Sequence, residues 1–187
     1  MAVRAGLTTA KVVDAALELV DEQGVGGLTL AAVAARTGVA TPSLYKHVAS
    51  LAELRGHLGA RVLEDMTSHF TGAVLGRSGD DAVRALMHAY RAYVRQHPKR
   101  YAAAPMNPLH DDLQKAAGQK LVEVMYATLR GYGLEGSDAV HATRRLRVIV
   151  HGFASIESGG GFGLPEELDD TYEQLVRLYL DDLGGKP

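Results

Sequence analysis

Apolar residues recur along this 187-residue chain at three- and four-residue intervals, and no stretch alternates long enough to read as a strand. Val12, Val13, Ala16, Leu17 and Val20 form the first stripe. They predict a helix capped by Thr8 or Thr9 that runs to about Gln23 and breaks at the glycines of residues 24–27. Leu30, Val33 and Ala34 restart the pattern behind Thr29, a good N-cap, and Gly38 closes it where a left-handed residue ends a helix. Val39 fills the corner. Thr41 then reads as a cap with Pro42 at the first helical position, and Leu44 and Val48 form a narrow buried edge. Ser50 opens a long helix, with Glu53 three residues on as a capping box and Leu51, Leu54, Leu58, Val62, Met66 and Phe70 on its apolar side. Carried to Leu75, this rod measures about 39 Å at ~1.5 Å per residue.

Asp80-Asp81 starts a further helix whose face is Val83, Leu86, Met87, Tyr90, Tyr93 and Val94, stopping before His97-Pro98. Residues 98–104 read as a short helix. From Leu109 to about Tyr132 the stripe is Leu113, Leu121, Val122, Met125 and Leu129. Ser137 and Asp138 cap a helix bearing Val140, Leu146, Ile149, Val150, Phe153 and Ile156. Pro165 opens the last one, with Leu168, Tyr172, Leu175, Val176, Tyr179 and Leu183. The predicted fold is all-α: a three-helix head over residues 1–50, joined by a long helix to a body over residues 51–187.

Two short helices meeting at Gly38 make a helix-turn-helix, with Thr41 to Val48 as the helix that enters a DNA groove. Pro42, Ser43, Lys46 and His47 look outward from it. Thr29, Val33-Ala34, Gly38-Val39, Pro42, Leu44-Tyr45 and His47-Val48, followed by Ser50 and Leu54, resemble the tetracycline-repressor (TetR) family of one-component regulators. The Tyr-x-His ending of the second helix makes the resemblance specific, and it covers roughly residues 8 to 60. A later segment, His151-Gly152-Phe153 leading to the glycine-rich run before Pro165, resembles a C-terminal domain of one branch of that family. The resemblance implies that Tyr45, His47 and Ser50 touch the DNA backbone, while Thr29, Thr41, Pro42, Ser43 and Lys46 face the groove. Two positions depart from the pattern: Leu51 stands where the family usually has a phosphate-binding lysine, and Ala31 where the founding repressor has a base-reading arginine.

The formal charge of −2 and a pI near 6.4 look unsuited to a nucleic-acid binder, so the local distribution matters more. Residues 28–61 carry Arg36, Lys46, Arg55 and Arg61 against Glu53 alone, a balance of +3, whereas residues 1–27 balance to −2. The basic charge sits around the turn, with Arg4 on an N-terminal arm also available to a phosphate. Hydrophobic residues make up 47% of the chain, enough to bury a core, yet no apolar run approaches the ~18 residues that span a bilayer. The chain has no cysteine, which excludes disulfides and thiolate metal sites, and a cytoplasmic location is expected. No cofactor or metal is expected: His110-Asp111-Asp112 diverge on a helix, and His141 and His151 lie ten residues apart. The glycine-rich run at 159–163 lacks phosphate-loop spacing and reads as a turn.

Met87, Tyr90, Tyr93, His97, Tyr101, Met106 and Met125 are the candidate lining of a ligand cavity, apolar walls with a few polar handles. With Arg91 and Arg95 expected to face solvent, that lining suits a largely hydrophobic, neutral or weakly basic molecule. The family pairs its last two long helices between subunits, which implies a homodimer here through Leu146, Val150, Phe153, Leu175 and Tyr179, with Arg144, Arg145 and Arg147 either ringing the seam or meeting acidic residues of the last helix. The expected function is a ligand-responsive transcriptional regulator, a repressor binding a palindromic operator as a dimer, and not an enzyme. Two alternatives stand beside it: an all-α enzyme with a vestigial head, and a DNA binder without a ligand response.

Overall fold

The computed structural model describes residues 6–185; the arm carrying Arg4 lies outside them. Nine α-helices carry the described chain, and no strand occurs among these residues. They are α1 (Thr9–Gln23), α2 (Leu30–Thr37), α3 (Thr41–Leu44), α4 (Leu51–Val74), α5 (Gly79–Gln96), α6 (Pro98–Tyr101), α7 (Lys115–Leu129), α8 (Gly136–Ser158) and α9 (Leu168–Gly184). Single 3-10 turns lie at Val25–Gly27, Pro108–His110 and Arg130–Tyr132.

The chain forms two compact units. The first comprises residues 1–64 and 99–119, the second residues 65–98 and 120–187. The division expected after residue 50 falls inside the first unit, and α4 contributes residues to both.

The first unit closes over Val12, Ala16, Val20, Leu28, Val33, Leu44, Val48 and Leu54, none more than 1% exposed. Residues 99–119 join this unit through contacts that no local pattern announces. Lys99 Nζ donates to the Glu22 carbonyl at 2.6 Å, at the open C-terminal end of α1, and Arg100 pairs with Asp21. Gly56 on α4 admits the Leu113 side chain, whose Cδ1 lies 2.7 Å from where a Cβ would stand.

In the second unit α5 carries the widest buried face, packed on α8 and α9. Phe70 and Tyr90 stack 5.0 Å apart between centroids, and Tyr172 and Tyr179 reach across helices to donate to the carbonyls of Met87 (2.6 Å) and Ala142 (2.9 Å). Burial raises the pKa of both phenols, so both stay protonated donors.

Several helix starts differ from expectation for identifiable reasons. α7 begins at Lys115 rather than Leu109, because Asp111 Oδ1 accepts the Leu113 N–H at 2.9 Å and holds a local turn instead. α9 begins at Leu168, with Glu167 as its cap, three residues beyond Pro165. α8 begins at Gly136, with Glu135 as its cap and no side chain bonded there, so Ser137 is already helical.

Candidate nucleic-acid interface

The turn forms as its residues dictate. Thr29 Oγ1 accepts the Ala32 N–H at 3.1 Å, capping α2. At the other end Gly38 adopts φ 69°, a left-handed conformation that glycine enters without steric cost, and Val39 N–H returns to the Ala34 carbonyl at 3.0 Å. The chain thereby reverses into α3. Here the structure corrects two details. Ala40 is the cap and Thr41 the first helical residue, with Pro42 second, so the Thr41 hydroxyl caps nothing. Regular α-helix also ends at Leu44 rather than Val48; Tyr45, Lys46 and His47 continue as a turn, closed by bonds from His47 N–H (2.8 Å) and Val48 N–H (2.9 Å) to the Leu44 carbonyl.

That tightened turn decides what faces out. Leu44 (0% exposed) and Val48 (1%) anchor it in the core, while Pro42, Lys46 and Ser50 are exposed and Thr41, Ser43 and His47 half-buried. Tyr45 is 56% exposed, so it does not serve as packing of the head. Thr9 Oγ1 donates to the His47 carbonyl at 3.3 Å and ties the start of α1 to the turn. Ser50 Oγ accepts the Glu53 N–H at 3.1 Å, as a cap should, and Glu53 accepts the Ala49 N–H at 2.6 Å, one residue earlier than in the usual reciprocal box.

Charge on this surface is narrower than the count over residues 28–61 suggests. Arg36 donates to Glu22 Oε1 at 2.8 Å and to Glu18 Oε2 at 3.2 Å, both on α1, and Arg61 lies 3.4 Å from Asp14. The Arg36 hydrogen bonds hold the Glu22 carboxyl below its ordinary range. Neither arginine is an unmatched cation. Lys46 and Arg55 are exposed and form no ion pair among the described residues.

The remaining predicted residues distribute as follows. Met87, Tyr90, Tyr93 and Met125 lie buried in the second unit, with the half-buried His97 ring tilted against Tyr93 at 5.1 Å between centroids. The Tyr93 hydroxyl donates to Asp65 Oδ2 at 2.9 Å, a carboxylate that the apolar periodicity did not mark. Tyr101 and Met106 belong to the first unit, where Met106 is 67% exposed. Arg91 does not face solvent. Its side chain is 6% exposed, bound to Glu157 through two bonds of 2.8 and 2.7 Å and set over the rings of Phe153 and Tyr172. A planar guanidinium can enter an interior when rings cover its faces and a carboxylate its edge.

The expected subunit seam also needs correction. Leu146, Val150, Phe153 and Tyr179 are at most 5% exposed inside their own protomer, because they are the stripe that α8 and α9 turn towards α5. Only Leu175 of that set is partly open. The apolar side chains left outside on these helices are Val148 (72%), Ile156 (46%) and Leu178 (65%), with Gly152 and Ser155 between the first two on α8. Arg145 pairs with Asp182 of α9 at 2.9 Å. Burial, and secondarily Arg147, hold the His151 imidazole below its ordinary pKa. Among the described residues no cluster of three or more metal-ligating side chains occurs, and no helix is long and apolar enough to cross a membrane.

A three-helix head with Pro42, Tyr45, Lys46 and Ser50 exposed along the edge of its second short helix has the form of a helix-turn-helix. Residues 12–56 match the bacterial regulatory proteins of the tetR family, and residues 83–179 match the tetracyclin repressor-like C-terminal domain. The chain is 34% identical over 185 residues to the HTH-type transcriptional regulator YobS of Bacillus subtilis (strain 168), covering 98% of this chain and 96% of that one. It is 37% identical over 158 residues to the HTH-type transcriptional regulator Rv0681 of Mycobacterium tuberculosis, covering 83% and 72%. The fold superposes with a TM-score of 0.70 and 20% identity on BioQ, crystallised with its double-stranded DNA operator, covering 97% of this chain and 100% of that chain. The chain belongs to the TetR family of transcriptional regulators.

Proposed function

We propose that this protein is a homodimeric repressor that binds a palindromic operator and is released by a small molecule. The observation that carries the reading is the outward edge Pro42, Tyr45, Lys46 and Ser50, held by Leu44 and Val48 beneath it. In the proposed complex Tyr45, His47 and Ser50 donate to phosphates and fix the register, while Thr29, Thr41, Pro42, Ser43 and Lys46 meet base edges. Two heads on a two-fold axis reach half-sites about one helical turn apart, which is why the operator is expected to be palindromic.

The seam is assigned to the outer faces of α8 and α9, through Val148, Ile156, Leu175 and Leu178. Their exposure supports this, and Gly152 and Ser155 let a second helix approach closely. The effector lining is confined to Met87, Tyr90, Tyr93, His97 and Met125 of the second unit. Their burial requires an entering hydrophobic ligand to displace packed side chains, and its binding then favours a different arrangement of α4 and hence of the heads.

Selection from a random DNA library, followed by anisotropy titration over a salt series, tests the reading. A palindromic consensus and a steep salt slope are expected. Tyr45→Ala should weaken operator binding at least tenfold with the melting temperature unchanged, and Lys46→Ala should also shift base preference. Unaltered affinity in folded Tyr45→Ala would overturn the assignment of this edge.

A further inference from the structure

A cavity of about 340 Å³ opens between α5 and α9 in the second unit, lined by His88, Arg91, Ala92, Arg95, Asp169 and Glu173. This is at the lower end of the roughly 300–1,000 Å³ range of small-molecule sites, and its walls are charged where the proposed effector lining is apolar. His88, Arg91, Ala92 and Arg95 stand on one face of α5 at helical spacing. Arg91 is the fixed point, because Glu157 and two aromatic rings hold its guanidinium in one orientation. Such a cation is already oriented for a planar carboxylate before any ligand arrives.

A carboxylate already occupies that position. Asp169 Oδ1 lies 2.8 Å from Arg91 Nη2 and 3.9 Å from Arg95 Nη1. It comes from the first turn of α9, and its side chain is 78% exposed against 6% for Arg91. Asp169 is itself in solvent, and Arg91 keeps both bonds to Glu157 without it, so Asp169 can turn away into water at small cost. The charges in the groove then no longer cancel. Glu157 matches Arg91, and Glu173 matches Arg84 at 2.8 Å while also meeting His88 at 2.6 Å. Arg95, 53% exposed, lies 3.6 Å from Glu157 and 3.9 Å from Asp169, and with Glu157 already bound to Arg91 through two hydrogen bonds its remaining counter-ion is Asp169. Without it, one positive charge is left in a concave site. Ala92 is the one apolar side chain of the lining, which disfavours long acyl chains and large rings.

We propose that this groove binds a small organic carboxylate, which displaces Asp169 from Arg91 and Arg95. The bound carboxylate accepts from both guanidinium groups, and its polar remainder meets His88 and Glu173. The site does not depend on the operator-binding reading and is measured without DNA.

The test uses acetate, lactate and succinate as probes at constant ionic strength, with lactamide as the neutral counterpart and inorganic phosphate as a non-planar anion. Calorimetric titration and thermal shift on the full chain read binding. At least one of the three carboxylates should bind and raise the melting temperature, lactamide should not, and phosphate should bind at least tenfold more weakly. Asp169→Asn removes the tethered competitor and should tighten the best probe at least tenfold, whereas Arg95→Gln should weaken it at least tenfold in a protein of unchanged melting temperature. The proposal is overturned if none of the three binds to Asp169→Asn, if Asp169→Asn binds more weakly than the wild type, or if lactamide or phosphate binds as well as the best carboxylate.

Discussion

Arg36 in the first unit and Arg91 in the second both bridge helices by ion pairs, and their surroundings could hardly differ more. Arg36 reaches from α2 to Glu18 and Glu22 of α1 across a wet surface, where the two carboxylates are 65% and 54% exposed. Arg91 reaches from α5 to Glu157 of α8 with side chains only 6% and 10% exposed, between two aromatic rings. Water screens the first pair and competes for its hydrogen bonds, so each partner can be lost cheaply. The second pair has no such substitute. Removing one member strands the other in low dielectric, although the complete pair adds little over an apolar filling of equal volume. The head can therefore exchange surface charge freely, while the body is committed to its internal pair.

The sharpest contrast of burial lies within α8. Val150→Glu would place a charge with no partner at a position of 0% exposure, at a cost of several kcal/mol, and should prevent folding of the second unit. Val148→Glu, two residues away and 72% exposed, should leave the protomer folded and convert the proposed dimer to monomer. Circular dichroism and sedimentation separate the two outcomes. A dimeric Val148→Glu would remove this face from the seam.

Next in size is the internal pair itself. Glu157→Gln keeps the shape but leaves Arg91 with Asp169 as its remaining carboxylate, and should cost about 3 kcal/mol. In a chain of this length that is on the order of 10 °C in melting temperature. A shift below a degree would place Arg91 with Arg36, as a cation that water still serves. Tyr172→Phe is a smaller probe of the same interior. It removes the hydroxyl that donates to the Met87 carbonyl, for a loss of about 1 kcal/mol in a denaturant titration.

The two units also differ in how far they could be read from the chain. The head is built from contacts within some forty residues, where caps, a left-handed glycine and one apolar stripe suffice. Thr29, Gly38, Leu44 and Val48 accordingly stand where the pattern put them. Its edges differ from the pattern where local hydrogen bonds override propensity, as when the His47 and Val48 N–H groups close a turn on the Leu44 carbonyl. In the body the helices were legible and their partners were not. A stripe of Leu146, Val150 and Phe153 looks the same whether it meets α5 or a second subunit, and periodicity carries no information on which. Arg91 was misplaced because a charge on an amphipathic helix is ordinarily solvated. Its burial depends on Glu157 and two rings at least sixty residues away. The same distance in sequence hid the attachment of Lys99 and Arg100 to the end of α1. One signal was available: Gly56 and Gly59 inside a helical pattern mark a close approach, here of Leu113, Pro105 and Gln114.

The smallest expected effect completes the comparison. Arg36→Ala should leave the melting temperature nearly unchanged at neutral pH, and its residual effect should carry the signature of a surface pair. The hydrogen bonds from Arg36 hold the Glu22 carboxyl below its ordinary value of 4.5. A carboxyl whose pKa is lower folded than unfolded contributes stability above its unfolded value, and that contribution fades as the pH falls through the folded value. The wild type and Arg36→Ala should therefore differ slightly at pH 7 and converge as the pH falls through the lowered folded value and Glu22 is protonated. Raising the salt concentration at pH 7 should bring them together as well, since an exposed pair is screened. Glu157→Gln should keep most of its deficit in high salt, because the ions that screen Arg36 do not enter between Phe153 and Tyr172. Equal salt sensitivity of the two variants would mean that burial is not what separates the pairs.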